Sequence, residues 1–242
     1  MITPKEIEQK TMSPKKRASA KNDYFAFYIG RPITYVLTIP FLYTNISPNT
    51  VSYISFIPTL MGFVLLAVGK SQFALLGGWF CFFLWSMLDG IDGNIARFKK
   101  QYSKIGDTLD AAAGYFAMTL IFFGAGIAAA HDPSGVVRNI ADIASETYII
   151  LGGLSGICMI MPRLIMHKAL TSTGNRDVGG MKDRTNYGLL KVMALNITSI
   201  PGLVQILLLF SIFTHMLDLY TIGYFVVNVL IMIASLNSVF KE

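Results

Sequence analysis

The chain has 242 residues, of which 53% are apolar and only 14% are charged. Several windows of 18 or more residues carry no charge. Each is long enough to cross a hydrocarbon core of ~30 Å, so the composition excludes an ordinary soluble domain. The net charge of +6 comes from basic residues spread over several loops and not from one patch, which is typical of a membrane topology signal. We therefore expect membrane lipids as partners and no nucleic acid.

The chain order predicts three regions. Residues 1–23 are polar and basic and are predicted as a tail. Residues 24–46 are apolar and aromatic but carry Arg31, Pro32 and Pro40, which suits a segment lying in the membrane interface. Residues 47–242 are predicted as the membrane domain, with six apolar spans at 50–69, 72–98, 105–130, 146–170, 187–212 and 216–239. The predicted fold is all-α: a polytopic membrane protein with six transmembrane helices and an N-terminal interfacial segment.

The distribution of lysine and arginine predicts the orientation of these spans. If the tail is cytoplasmic, 18 of the 20 basic residues lie on the cytoplasmic side, and only Lys70 and Arg138 lie outside. The sequence therefore predicts an integral protein of a bacterial or archaeal cytoplasmic membrane. In this orientation the loop between the second and third spans faces the cytoplasm.

Four carboxylates lie where the second predicted span ends and the third begins, in the stretch DGIDGNIARFKKQYSKIGDTLDAAAG from 89 to 114. Asp89 and Asp92 are three residues apart and so share a helix face, and Asp107 and Asp110 repeat that spacing. A carboxylate at membrane depth costs at least ~2.5 kcal/mol on insertion scales, so these groups need a compensating cation or a function. Hard divalent cations are the natural partners of such oxygens.

Small residues and one arginine accompany the carboxylates. Gly90, Gly93 and Ala96 leave this part of the second span without bulk, so a phosphate-bearing ligand can approach the backbone. Arg97 offers a fixed cationic fork for phosphate oxygens. Carboxylates, small residues and an arginine together indicate a site for a metal-bound diphosphate.

The spacing of these residues resembles the signature of the CDP-alcohol phosphotransferases. The pattern is Asp, two residues, Asp-Gly, two residues, Ala-Arg, eight residues, Gly, three residues, Asp. It is met by Asp89, Asp92, Gly93, Ala96, Arg97, Gly106 and Asp110. The six-span layout and the Pro48-Asn49 start of the first span also match the family.

The resemblance implies an enzyme that transfers the phosphoalcohol part of a CDP-linked alcohol to an acceptor hydroxyl, with release of CMP and with a divalent metal, Mg²⁺ or Mn²⁺. The acceptor would be a small polar molecule or a lipid, and the pathway phospholipid or membrane-glycan synthesis. On this basis the expected metal ligands are Asp89, Asp92 and Asp110. The expected catalytic residues are Asp89, Asp92, Asp107 and Asp110, and the expected substrate contacts in the motif are Gly93, Ala96, Arg97 and Gly106.

One position departs from the family pattern. Gly114 stands where the family has a final aspartate, four residues after Asp110, which is regarded as the base that activates the acceptor hydroxyl. Three explanations are open: an engineered or accidental substitution, a subgroup whose acceptor needs no base there, or a pseudoenzyme that binds a CDP-alcohol without turnover.

Acceptor recognition is expected from basic residues near the end of the fourth span. Arg163 and Lys168 are candidates to hold an anionic acceptor, together with Arg176, Lys182, Arg184 and Lys191 in the loop that follows and at the start of the fifth span. The alternative is that they are membrane anchors that extend towards lipid headgroups.

Two further alternatives concern the class of protein and its assembly. An ion-coupled transporter also uses intramembrane carboxylates, but it would more naturally place them near the bilayer midplane. Glycines at 77, 78, 124, 126, 152, 153 and 156 are expected to be helix-packing contacts, and they leave a homodimer open.

Overall fold

The computed structural model describes residues 1–173 and 187–240, and in these ranges the chain is helical without any strand. A π-helical turn, Ala26–Gly30, precedes α3, and a second one, Ile200–Val204, precedes α9. The helices are α1 (Pro4–Thr11), α2 (Pro14–Ala20), α3 (Arg31–Leu42), α4 (Pro48–Val68), α5 (Gln72–Lys99), α6 (Gly106–His131), α7 (Ser145–Thr173), α8 (Leu189–Ile197), α9 (Gln205–Thr214) and α10 (Leu217–Phe240).

Within the described ranges, five helices are long and apolar enough to cross a membrane. They are α4, α5, α6, α10 and the part Ser145–Ala169 of α7. Their bounds lie within a few residues of the predicted spans, because the long apolar windows between polar loops determine both. The prediction of an all-α polytopic membrane protein is confirmed.

The fifth predicted span, 187–212, is not one continuous helix. α8 ends at Ile197, and the next helical run, Ile200–Thr214, is bent from it by 48°. Pro201 has no N–H to donate, and Gly202 has non-helical dihedral angles (φ −117°, ψ −125°), so the helical hydrogen-bond ladder is interrupted here. The apolar window therefore predicted the extent of this segment correctly but not its break.

Residues 1–23, predicted as a tail, form two short capped helices. The Thr3 side chain accepts a hydrogen bond from the first turn of α1, and Ser13 Oγ accepts one from the N–H of Lys16 at 3.3 Å. Pro4 and Pro14 occupy the first position of each helix, where no N–H is needed.

The N-terminal helices are packed onto the rest of the chain by an apolar contact. Ile7 of α1 has no exposed surface and lies in a cluster with side chains of α3, α4 and α5, among them Tyr35, Val51 and Ile91. Burying an isoleucine side chain contributes ~1.5–3 kcal/mol, so this contact alone stabilises the position of α1. An ion pair of 2.8 Å between Arg17 and Glu8 links α2 to α1.

The chain divides into two compact units. The first comprises Met1–Leu60, Phe80–Ala117 and the described part of Thr185–Gln205. The second comprises Met61–Trp79 and the described parts of Met118–Arg184 and Ile206–Glu242. The aspartate motif and the N-terminal helices belong to the first unit.

The second unit contains a close crossing of α6 and α7. A Cβ added at Gly126 would lie 2.9 Å from the Cα of Gly152, and one added at Gly152 would lie as close to the Cα of Gly126. The two backbones therefore touch at a distance that only glycine permits. For Gly126 and Gly152 the expectation of a helix-packing contact is confirmed.

Candidate active site

A cavity of about 480 Å³ lies in the first unit and is lined by residues of α2, α3, α4, α5 and α6 and of the segments between them. Its size is within the usual range for a site that binds a small organic ligand. All eight residues expected from the motif line it: Asp89, Asp92, Gly93, Ala96, Arg97, Gly106, Asp107 and Asp110.

The turn between α5 and α6 positions the two pairs of carboxylates. Lys100 adopts a left-handed conformation (φ 56°), and the N–H of Gln101 donates to the carbonyl of Ala96 at 2.9 Å, which ends α5. The side chains of Asn49 and Ser103 are hydrogen-bonded at 3.0 Å and so tie this turn to the start of α4. As a result the first turn of α6 lies beside the last turns of α5.

Asp92 is the most deeply buried of these carboxylates, with 5% of its surface exposed. Its Oδ2 accepts a hydrogen bond of 2.5 Å from Ser52 Oγ on α4. Asp89 and Asp110 lie on different helices, yet their carboxyl groups are within hydrogen-bonding reach of each other. Two acidic groups so close together favour a shared proton or a bound cation.

Arg97 is folded back over the backbone of its own helix. A Cβ added at Gly93 would lie 2.8 Å from one terminal nitrogen of this guanidinium group, so the glycine makes room for it. One terminal nitrogen donates to Asn94 Oδ1 at 3.4 Å. The Arg97 Nε is buried and has no hydrogen-bond partner among the described residues. A buried donor of this kind is suited to a ligand oxygen.

The chemistry of these side chains fits a hard divalent cation, because several carboxylates line one cavity. The same cavity contains the Arg97 N–H that has no partner among the described residues. However, in residues 1–173 and 187–240 no three histidine, cysteine, aspartate or glutamate side chains are gathered closely enough to hold a metal ion by themselves.

The profile of the family described as CDP-alcohol phosphatidyltransferase matches residues 45–236, most of the chain. The chain belongs to the CDP-alcohol phosphatidyltransferase family. Membership implies transfer of a phosphoalcohol group from a CDP-alcohol to an alcohol acceptor, and the family uses divalent metal ions. No curated protein matches the chain.

Of the predicted acceptor residues, Arg163 and Lys168 lie in the second unit, and Lys191 lies on α8 in the first unit. Arg163 and Lys168 are on α7, where a terminal nitrogen of Arg163 donates to the carbonyl of Met159 at 2.6 Å. The cavity lining given by the described residues does not include either of them. Arg176, Lys182 and Arg184 lie outside the described residues. An acceptor role for this basic group stays a prediction.

Several residues that line the cavity were not predicted as site residues. Ser52 lies one turn after Asn49 on α4, and the pairing of Ser52 with Asp92 depends on the packing of α4 against α5. Lys16 and Arg31 reach the cavity from the N-terminal segment. From the sequence alone, Lys16 falls in the predicted tail and Arg31 in the predicted interfacial segment, and neither region carries a signal of a binding site.

Lys16 has an unusual electrostatic environment. Burial, followed by the positive charges of Arg97 and Arg31, lowers the pKa of the Lys16 ammonium from 10.5 to about 8. Lys16 therefore lies next to other cations and is disfavoured in its charged form.

Proposed function

We propose that the protein is an active transferase that moves the phosphoalcohol group of a CDP-linked alcohol, such as CDP-diacylglycerol, to an acceptor hydroxyl with release of CMP. Asp89, Asp92 and Asp110 would hold Mg²⁺ or Mn²⁺ together with the diphosphate. We place the protein in a bacterial or archaeal cytoplasmic membrane, with this site facing the cytoplasm, in phospholipid or membrane-glycan synthesis.

The proposal rests on one observation: the last turns of α5 and the first turn of α6 line the same cavity. Four carboxylates among the described residues line it next to an arginine whose Nε has no partner among those residues. An unsatisfied buried donor is costly, by ~1–3 kcal/mol, unless a ligand accepts its hydrogen bond. A diphosphate oxygen satisfies this donor and, at the same time, completes the oxygen shell of a cation.

Each part of the site has a role in the reaction. Arg97 binds a phosphate oxygen, and Gly93 and Ala96 allow the diphosphate to approach the helix backbone. When bound, the metal neutralises charge on the diphosphate and polarises its phosphorus–oxygen bonds. Ser52 holds Asp92 in one orientation through its hydrogen bond.

The proposed reaction is a single displacement at phosphorus. The acceptor oxygen forms a bond to the phosphorus that carries the alcohol, and the bond from that phosphorus to CMP breaks, so CMP leaves with the electron pair. The acceptor's hydroxyl proton must go to a base. Asp107, which is exposed at the first turn of α6 and lines the cavity, is our candidate, acting through a water molecule.

The test measures thermal stabilisation by Mg²⁺ in the presence and absence of CDP. We expect the wild type to be stabilised by metal only when CDP is present, and Asp92→Asn to lose this response. Asp142→Asn, an exposed aspartate of the second unit, is the matched control. If Asp92→Asn responds like the wild type, the metal assignment is wrong.

A second candidate function is binding of a CDP-alcohol without turnover, and Gly114 is the feature that favours it. In that case metal and CDP would stabilise the protein as above, but no CMP would be released with any acceptor. Mass spectrometry of copurified lipids and nucleotides would identify the bound donor in both cases.

A further inference from the structure

Three cations line one cavity of the first unit, and two of them come from outside the region that matches the family. Lys16 lies on α2 and Arg31 begins α3, whereas Arg97 belongs to the motif on α5. The family match begins at residue 45. The family pattern therefore does not account for Lys16 and Arg31.

The N-terminal segment is held so that Lys16 reaches the cavity. The buried side chain of Ile7 packs α1 against α3, α4 and α5, and the pair between Arg17 and Glu8 links α2 to α1. The Ser13 cap fixes the first turn of α2, in which Lys16 lies. The neighbouring Lys15 and Arg17 are exposed, whereas Lys16 is half-buried.

For Lys16 this arrangement is electrostatically unfavourable without a bound anion. The charged groups that act on Lys16 are the cations Arg97 and Arg31, whereas Arg97 is influenced by Arg31 and also by the carboxylates of Asp92 and Asp110. Like charges gathered in a half-buried cavity repel each other, and a phosphate group bound among them would turn this repulsion into attraction. The lowered pKa of Lys16 agrees with this view.

We propose that Lys16 and Arg31, beside Arg97, bind a phosphate group carried by the acceptor alcohol. This inference rests on the proposed function, and it names the acceptor class as phosphorylated alcohols. The acceptor is favoured over the donor because Arg97 and the carboxylates of the motif already serve the donor's diphosphate in the proposed function, whereas Lys16 and Arg31 enter the cavity from the N-terminal segment, outside the family match. The N-terminal segment is thus part of the substrate site.

The first experiment measures binding without metal. Thermal stabilisation of the full chain by glycerol 3-phosphate is titrated in EDTA, with glycerol at equal concentration as the uncharged probe. We expect saturable stabilisation by glycerol 3-phosphate only. Lys16→Gln and Arg31→Gln should each raise the apparent Kd about tenfold or more, the scale of one charge-assisted hydrogen bond.

Two variants keep the test specific. Lys15→Gln removes the same charge from the same helix at an exposed position that does not line the cavity, so it should leave the Kd unchanged. Lys16→Arg keeps the charge and should retain most of the binding. If Lys16→Gln does not fold, loss of binding in Arg31→Gln with retention in Lys16→Arg still decides the question.

The second experiment separates the acceptor from the donor. Glycerol 3-phosphate is titrated again in the presence of saturating Mg²⁺ and CDP. Additive stabilisation supports two separate sites, whereas competition would show that the cations hold the donor's diphosphate and would overturn the proposal. Equal responses to glycerol, or equal losses in Lys15→Gln, would also overturn it. Failure of the metal and CDP response alone would contradict the proposed function and not this inference.

Discussion

Ser52 Oγ on α4 donates a hydrogen bond of 2.5 Å to Oδ2 of Asp92 on α5, and both residues are buried. A carboxylate held by a hydroxyl in a buried position has one oxygen occupied and the other directed by that contact. Groups that orient a metal ligand in this way commonly affect metal affinity or activity 10–100-fold.

We therefore expect Ser52→Ala to weaken the CDP-dependent stabilisation by Mg²⁺ about tenfold or more in metal concentration. Ser55→Ala is the matched control, because Ser55 is equally buried on the same helix but donates to the carbonyl of Ser52. A Ser55→Ala variant as impaired as Ser52→Ala would attribute the loss to helix packing and contradict the role of Ser52.

Gly114 is tested by restoring a carboxylate. Gly114→Asp places an acidic group one turn after Asp110 on the same face of α6. If a base is missing, the transfer rate should rise, and the gain can approach the ~10²- to 10⁴-fold typical of general-base catalysis. Release of CMP with glycerol 3-phosphate as acceptor measures it.

The other outcomes of this variant are also informative. A fall from a measurable wild-type rate would show that Gly114 is an adaptation to the acceptor, since an added charge repels an anionic group. Tight binding of a CDP-alcohol without turnover in both forms would favour the pseudoenzyme.

The binding of a phosphorylated acceptor should depend on pH through Lys16. Burial beside Arg97 and Arg31 lowers the pKa of Lys16 to about 8, and a bound anion favours the charged form. A phosphate monoester has its second pKa near ~6 and is already a dianion at neutral pH. Affinity should therefore be highest between about pH 6 and 8 and fall about tenfold as the pH rises through 8 to about 9.5.

The control for this pH dependence is Lys16→Arg, which stays charged and should bind equally at both pH values. The free energy of unfolding should also depend on pH through Lys16. Between pH 8 and 10.5 the unfolded chain still binds the proton that folded Lys16 has released, so this group's contribution to stability rises with pH in that window. An affinity that is flat with pH in the wild type would contradict a role for Lys16.

The orientation in the membrane is tested by labelling. A cysteine introduced at Lys100, in the turn between α5 and α6, should react only with reagent on the cytoplasmic side, and one at Pro133 only with reagent outside. The distribution of basic residues is the physical reason, because 18 of 20 then lie inside. External labelling at Lys100 would invert the topology and remove access to cytoplasmic CDP-alcohols.

The sequence alone determined the spans and the motif. Long apolar windows predict transmembrane helices because a bilayer demands a fixed apolar length, and the spacing of Asp89, Asp92 and Asp110 predicts shared faces because a helix repeats every 3.6 residues. Both properties are local. The same local reasoning explains why the fifth span was predicted in extent but not in its break at Pro201, since hydrophobicity does not depend on a single missing N–H.

Contacts between distant segments were decided only by the tertiary structure. Lys16 and Asp92 are 76 positions apart, yet they line one cavity, and nothing in the polar composition of residues 1–23 indicates that Ile7 is buried. One buried isoleucine in a basic segment is too weak a periodic signal to predict packing. Whether a hydroxyl such as that of Ser52 meets a carboxylate depends on how α4 and α5 pack, which is determined by many weak contacts together.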